Sequence, residues 1–163
     1  MSQSQRTVLP VWLFGLATLA FAPVAQNPVR QFETRLANIG VGKMAVDGDF
    51  LVVGQAGYGS TPSRALVYQR LTECWSSAVR VAELVPASSA NKDWFGSSVA
   101  ISGDTVVVGN PARVGVQGAY LYVKPPGGWD DMTETARLDS GGTTTSWLGD
   151  AVAIDDGLVV LGA

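Results

Sequence analysis

The 163-residue chain contains no histidine and only one cysteine, Cys74. Without histidine it cannot build a Ser-His-Asp triad or a Cys-His pair, and zinc sites with histidine ligands are excluded too. A single cysteine allows neither an internal disulfide nor a cysteine cluster for a metal. We expect the lone thiol to be buried; in an exported protein, pairing with a second chain is the alternative.

Charge is also scarce, because charged residues make up 15% of the chain against 47% hydrophobic residues, and the formal net charge is −3. No run of Lys and Arg forms a basic stripe, so nucleic acid is not expected as a partner. The hydrophobic fraction argues against disorder. Nineteen glycines and eight prolines, with Val and Thr between them, favour short strands and tight turns. An all-β protein of one folded unit is predicted.

The first residues have the pattern of a secretory signal. Arg6 precedes an uncharged stretch, Val8 to Ala22, that is short for a membrane-spanning helix. Cleavage is expected after Ala22 or Ala25, and an uncleaved anchor is the alternative. We therefore expect a signal peptide over residues 1–25, a secreted or cell-surface protein, and no membrane span after cleavage.

One segment occurs in three similar copies, at Val46–Gly54, Ile101–Gly109 and Ile154–Gly162. The closing glycines lie 55 and 53 residues apart, a period typical of propeller blades. Inside each copy a glycine stands where a tight hairpin turn needs positive φ. The apolar run that follows predicts a strand covered on both faces.

Each full period contains four segments of β character. In the second period they are Ser98–Ile101, Thr105–Gly109, Ala119–Val123 and Glu134–Leu138. The fourth alternates in polarity, as an outer strand does. We predict β-propeller blades of four antiparallel strands, forming an incomplete propeller: blade 1 over residues 39–94, blade 2 over 95–147 and a partial blade 3 over 148–163.

Phe95–Ile101 running into Val107–Pro111 resembles the FG-GAP repeat, named after Phe-Gly and Gly-Ala-Pro. The third copy has Leu148-Gly149, and the first has Val41-Gly42, one residue out of step. The resemblance covers roughly Ile39 to Ala163 and is closest to the bacterial, exported form of the repeat. It implies a β-propeller like the head of an integrin alpha chain, usually of about seven blades.

Integrin-type repeats carry a calcium loop of the form Asp-x-Asp-x-Asp-Gly, and this chain departs from it. Asp47 and Asp49 offer two of the carboxylates, but Leu51 stands at the third position, and Gly157 replaces the second carboxylate in the last copy. Because calcium requires six to eight oxygen ligands, we expect these segments to be plain turns. No metal and no cofactor is predicted.

Paired carboxylates are the catalytic arrangement that remains conceivable, as in glycoside hydrolysis. The candidates are Asp93, Asp130, Asp131 and Asp150. Asp130 and Asp131 follow two glycines and a tryptophan, which favours a solvated turn. Asp150 stands where the preceding copy has Ser97, so it breaks the repeat. We predict no catalytic residue.

Tryptophans on propeller loops can stack on sugar rings, but repetition favours packing, since packing positions recur from blade to blade. Four tryptophans recur in this way: Trp75 with Trp129, and Trp94 with Trp147. A binding surface is expected instead on the variable loops 57–63 and 112–117.

Two full units and part of a third are fewer than the four to eight blades of a propeller. We therefore expect the chain to be a C-terminally truncated piece of a longer protein, with assembly of several copies as the alternative. The expected function is a non-catalytic exported module that binds an extracellular protein or glycan, in adhesion or scaffolding. The alternatives are the N-terminal part of an extracellular enzyme whose catalytic residues lie on missing blades, and a nonfunctional gene fragment.

Overall fold

The computed structural model describes residues 42–57, 62–88, 94–111, 117–141 and 147–163. The chain divides into two compact units, Met1–Gln31 and Phe32–Ala163, and every described residue belongs to the second. The expected signal peptide, residues 1–25, lies outside the described residues. Among the described residues there is no helix long and apolar enough to cross a membrane.

The described residues are all-β, with one 3-10 turn at Trp75–Ser77. The strands are β1 (Met44–Asp47), β2 (Phe50–Gln55), β3 (Arg64–Gln69), β4 (Val79–Val85), β5 (Ser98–Ser102), β6 (Thr105–Asn110), β7 (Gly118–Val123), β8 (Met132–Thr133), β9 (Ala136–Asp139), β10 (Ala151–Asp155) and β11 (Leu158–Gly162). They form three sheets, in the orders β1-β2-β3-β4-β8, β5-β6-β7-β9 and β10-β11. The pairs are antiparallel except β4 with β8. The sheets do not close into a barrel, and the predicted class of propeller-type blades is confirmed.

The three inner hairpins have the same antiparallel pairing but use two different turn types. The first two turn on Gly48 and Gly103, each with φ of 55°. In the third, Asp156 and Gly157 both have positive φ, 43° and 80°. The first arrangement is that of a type II′ turn and the second that of a type I′ turn, the two that match the twist of antiparallel strands. The glycine positions in the sequence therefore correctly predict where the hairpins turn.

The main core lies between the first and second sheets. Aliphatic side chains of β2, β3 and β4 face those of β5 and β6, and Tyr120, Tyr122 and Trp129 complete the cluster. Phe95 is fully buried, and its ring packs edge-on against Tyr120 at 5.4 Å and Tyr122 at 6.3 Å between centroids. Each large side chain buried in this way contributes about 1.5–3 kcal/mol. The two sheets are thus held mainly by apolar packing.

The middle strand of the second sheet is covered on both faces, as predicted, since Val106, Val107 and Val108 are all fully buried. Beyond it, β10 packs beside β5 as β5 packs beside β1. The third hairpin differs, because Leu158 and Val160 are 70% and 56% exposed. No further described sheet covers that face of β11, so the prediction of two-sided burial is wrong for the third copy.

The outer part of the second blade also departs from the predicted strand, Glu134–Leu138. Residues 132–133 leave their own blade and pair in parallel with β4 of the first sheet, and β9 begins only at Ala136. Asp131 accepts a hydrogen bond from the backbone N–H of Glu83, and Glu134 accepts one from that of Ala87, each at 2.7 Å. The start of the predicted strand is therefore used to attach one blade to the next.

Candidate functional site

The glycines of the repeated motif lie where neighbouring blades approach most closely. A Cβ atom on Gly54 would lie far inside 3.0 Å of the Gly96 carbonyl oxygen, and one on Gly109 would meet the Gly149 carbonyl oxygen in the same way. Gly96 and Gly149 also have φ of 87° and 96°. Any side chain at these places would push backbone against backbone.

The same glycines close the second and third hairpins. Gly96 N–H donates to the Gly109 carbonyl oxygen at 3.0 Å, and Gly149 N–H donates to that of Gly162 at 2.8 Å. The Phe-Gly and Gly-x-Pro parts of the motif are thus hydrogen-bonded to each other within one blade. Their glycines pack against glycines of the neighbouring blade. The motif residues are structural and present no side chain to a ligand.

Three of the turn carboxylates considered for calcium binding are engaged by protein groups. Asp47 accepts a hydrogen bond from the Gly103 N–H of the next blade at 2.6 Å. Asp49 forms an ion pair with Arg70, and Asp104 forms the equivalent one with Lys124. Among the described residues, no three His, Cys, Asp or Glu side chains are grouped so that they could hold a metal ion.

Of the carboxylates considered as an acid-base pair, those of Asp130 and Asp131 each accept a hydrogen bond from a backbone N–H. Asp130 accepts a hydrogen bond from the Asp131 N–H at 2.8 Å, and Asp131 caps the Glu83 N–H of the first sheet. Asp150 N–H donates to the Trp147 carbonyl oxygen at 3.0 Å and closes a turn. Asp93 lies outside the described residues.

The structure separates the two tryptophan pairs. Trp75 and Trp129 are 6% and 8% exposed, as predicted, and Trp75 carries the Arg70 guanidinium over its ring at 5.5 Å. Trp94 and Trp147 are 37% and 38% exposed. A place in the core is therefore confirmed for the first pair and wrong for the second, whose rings instead contact each other. Cys74, expected to be buried, is exposed as well.

Trp94 and Trp147 lie together although they are 53 residues apart in the chain. Their ring centroids are 6.5 Å apart, and the ring planes are nearly perpendicular, at 86°. Their φ angles are 70° and 74°, in the left-handed region. That conformation costs a residue with a side chain about 1–2 kcal/mol, and backbone strain of this kind is found at functional sites. We name these two rings the tryptophan corner.

Backbone hydrogen bonds hold the tryptophan corner. Ser97 N–H donates to the Trp94 carbonyl oxygen at 3.1 Å, which matches the bond from Asp150 to Trp147. Trp94 N–H donates to the Gly57 carbonyl oxygen, and Gly57 N–H donates to the buried Ser63 hydroxyl at 2.9 Å. The corner is therefore tied to the base of the loop 57–63, which the sequence favours for binding. Residues 58–61 and 112–116 of the two favoured loops lie outside the described residues.

Tyr122 is the one described group whose titration is strongly perturbed. Its burial, and next the Glu134 carboxylate and Tyr120, raise the pKa of its hydroxyl well above the ordinary range. The hydroxyls of Tyr120 and Tyr122 are buried in the core with no hydrogen-bond partner among the described residues. They lie out of reach of a ligand, so they belong to the core.

The second blade begins with Phe-Gly, its inner hairpin ends with Gly-x-Pro, and the glycines of both motifs pack against the neighbouring blades. These features are those of a β-propeller repeat. The family model of the FG-GAP repeat matches residues 78–122, from the start of β4 to the end of β7. Residues 78–122 therefore contain an FG-GAP repeat. No curated protein matches the chain.

Proposed function

We propose that this chain is a non-catalytic binding module that uses the end of its blades carrying the tryptophan corner. The observation that carries the proposal is the exposure of Trp94 and Trp147 on strained backbone. Each of these two large side chains keeps more than a third of its surface exposed. Partly exposed tryptophan on strained backbone is typical of a recognition surface. FG-GAP repeats form propeller-like modules that are often involved in binding, and an extracellular protein or glycan is the expected ligand.

Absence of catalysis is part of the same proposal. The chain has no histidine to activate a nucleophile, and Asp49, Asp104 and Asp131 are engaged in ion pairs or caps. Rigid blades that present loops are suited to adhesion or scaffolding.

The test is binding of the full chain to arrays of glycans and of extracellular proteins. Replacing Trp94 or Trp147 with glycine removes a ring and relieves the left-handed strain, so the fold should persist. Leu71→Ser is the matched control, because Leu71 is 60% exposed but follows β3 at the hairpin-turn end of its sheet. Loss of binding in the tryptophan variants alone supports the proposal, and unchanged binding in all three refutes it.

We also propose that the protein is exported, on the strength of Arg6 and the apolar stretch from Val8 to Ala22. The intact mass of the secreted product should correspond to a chain beginning after Ala22 or Ala25. A mature protein that retains Arg6 would contradict cleavage, and a product confined to the cytoplasm would contradict export.

A further inference from the structure

We infer that the protein associates head to tail with a second molecule of the same chain, through apolar faces on its first and third sheets. Leu158 and Val160 are exposed on β11 of the third sheet, and we call this surface the tail face. Met44 and Val46 are 63% and 55% exposed on β1 of the first sheet, and we call this surface the head face. Neither face includes the tryptophan corner, so the inference is independent of the proposed function.

The tail face corresponds to a surface that is buried in the other two repeats. Counted back from the closing glycine, Val160 occupies the place of Val52 and Val107. Both of those valines are fully buried. Val52 belongs to the core shared by the first and second sheets, so its side chain faces the following blade. Among the described residues no further sheet follows the third, and Val160 therefore presents to solvent a side chain that the repeat normally covers with a blade.

The head face is the other half of the same contact. Met44 and Val46 occupy the places of Val99 and Ile101 in β5, because each pair lies opposite equivalent positions of the second strand. Val99 and Ile101 are only 8% exposed and belong to the core shared with the first sheet. A Cβ atom on Gly54 of the first blade would lie 3.0 Å from a methyl carbon of Val99. The head face thus carries the side chains with which an inner hairpin packs on the blade before it.

The junction that these two faces form together already occurs twice within the chain. β5 packs beside β1, and β10 packs beside β5. Packing of the tail face on the head face of a second molecule repeats this contact, with apolar side chains on both sides. Because the two faces lie on different sheets of one molecule, the contact is heterologous and can close into a ring. With three inner hairpins in each molecule, a ring of two stays within the range of about four to eight blades of closed propellers. We therefore expect a dimer.

A hydrogen bond between hairpins specifies the register of the junction. Where the first blade meets the second, the Asp47 carboxylate accepts a hydrogen bond from the Gly103 N–H at 2.6 Å. Asp155 has the same place in the third hairpin, because it lies opposite Leu158 as Asp47 lies opposite Phe50. Residues directly opposite each other in a strand pair share one face, so Asp155 belongs to the tail face and is exposed there.

The donor for this carboxylate is present at the head face. Gly48 occupies the place of Gly103 and has the same φ of 55°. In the head-to-tail pair, the Gly48 N–H of one molecule is therefore placed to donate to the Asp155 carboxylate of the other. The middle repeat has Ser102 at this position, so the third repeat returns to the acceptor that the first blade uses. A hydrogen bond to a carboxylate is stronger than a neutral one and adds specificity to the apolar contact.

The first experiment is sedimentation equilibrium of the full chain over about 1 µM to 1 mM, the range in which small interfaces associate. The mean mass should rise with concentration from that of the monomer to that of the dimer. A mass that stays at the monomer value over the whole range would refute the inference.

Two charged variants, alone and mixed, distinguish head-to-tail association from other modes. Val160→Asp alters the tail face and Val46→Lys alters the head face, and each alone should weaken dimerisation at least about tenfold, because it buries an unpaired charge. In an equimolar mixture, one junction joins two unaltered faces and the other joins the new carboxylate to the new ammonium. The mixture should therefore recover dimerisation to within about threefold of the wild type.

Further variants serve as controls. Val123→Lys places the same charge on an exposed valine of the middle blade and should not change dimerisation. Asp155→Ser introduces the residue type of the middle repeat and should weaken dimerisation about threefold or more, because a charge-assisted hydrogen bond is lost. Circular dichroism verifies that each variant is folded. Leu158→Ser replaces Val160→Asp as the tail-face variant if the latter fails to fold.

Three patterns among the variants would overturn the inference. If Val160→Asp prevents association while Val46→Lys does not, two tail faces pair with each other and the head face takes no part. If both variants lose association but their mixture does not recover it, the two faces do not meet. If both variants associate as the wild type does, the contact lies elsewhere on the molecule. Binding through the tryptophan corner is measured separately, so none of these outcomes decides the proposed function.

Discussion

Replacing Gly54 with alanine should destabilise the contact between the first two blades. The new Cβ atom would overlap the Gly96 carbonyl group of the next blade and would lie 3.0 Å from a methyl carbon of Val99. The nearest atoms belong to backbone, which cannot rotate away as a flexible side chain can. The overlap is therefore relieved only if the two blades move apart.

The expected size of the effect follows from two opposing contributions. Overpacking of a close-packed site costs about 1–3 kcal/mol, and rigid backbone on the far side places Gly54 toward the upper end. Alanine also restricts the unfolded chain, which stabilises the folded state by about 0.4–1 kcal/mol. The net loss should be about 2 kcal/mol. For a chain of this length, that corresponds to a fall of about 4–8 °C in Tm.

Thermal unfolding followed by circular dichroism, with urea unfolding as a second measure, tests this expectation. Gly127→Ala is the matched control, because a Cβ atom there meets nothing within 4 Å and the residue has no positive φ. That variant should be as stable as the wild type or up to about 1 kcal/mol more stable. If Gly54→Ala and Gly127→Ala unfold at the same temperature, the close approach of the blades does not explain the motif glycine.

Two further predictions concern the core between the same blades. Phe95→Ala should lower the free energy of unfolding, measured in urea, by about 3–5 kcal/mol. Phe95→Leu, which introduces the residue type of Leu148 in the third copy, should lower it by only about 1–1.5 kcal/mol. Equal losses would contradict the ring packing seen with Tyr120 and Tyr122. For Tyr122, the unfolded hydroxyl ionises near pH 10 while the folded one stays protonated, so stability should fall above about pH 10 by up to about 1.4 kcal/mol per pH unit. Tyr122→Phe should flatten that decline and cost little at pH 7, and an unchanged slope would refute the burial argument.

The repeat predicts most of the fold because its signals are local. Turn glycines such as Gly48 and Gly103 and the apolar run Val106–Val108 each fix a hairpin within about ten residues. The sequence predicts the position of the fourth strand less accurately. Met132 and Thr133 pair with β4 of the neighbouring sheet, and that choice depends on a partner about 48 residues away. Polarity within Glu134–Leu138 carries no information about it.

The candidate site was harder to predict for a related reason. Recurrence at one place per blade correctly places Trp75 and Trp129 in the core, but it applies equally to Trp94 and Trp147, which recur and are exposed. A position that repeats can face the next blade or the solvent at the blade ends. The sequence does show that the repeat fails at Asp150, three residues after Trp147.

The hairpin turns show how these blades are held together by protein groups. Asp49 and Asp104 are each paired with a cation, Arg70 or Lys124, that follows the third strand of the same blade. Exposed ion pairs of this kind contribute at most about 1 kcal/mol each, so they orient the turns more than they stabilise the stack. The larger contributions must come from the apolar core and from the glycine contacts between blades. A blade stack that depends on close backbone packing at its motif end keeps the nearby Trp94 and Trp147 in fixed positions, which is the property that a small recognition site requires.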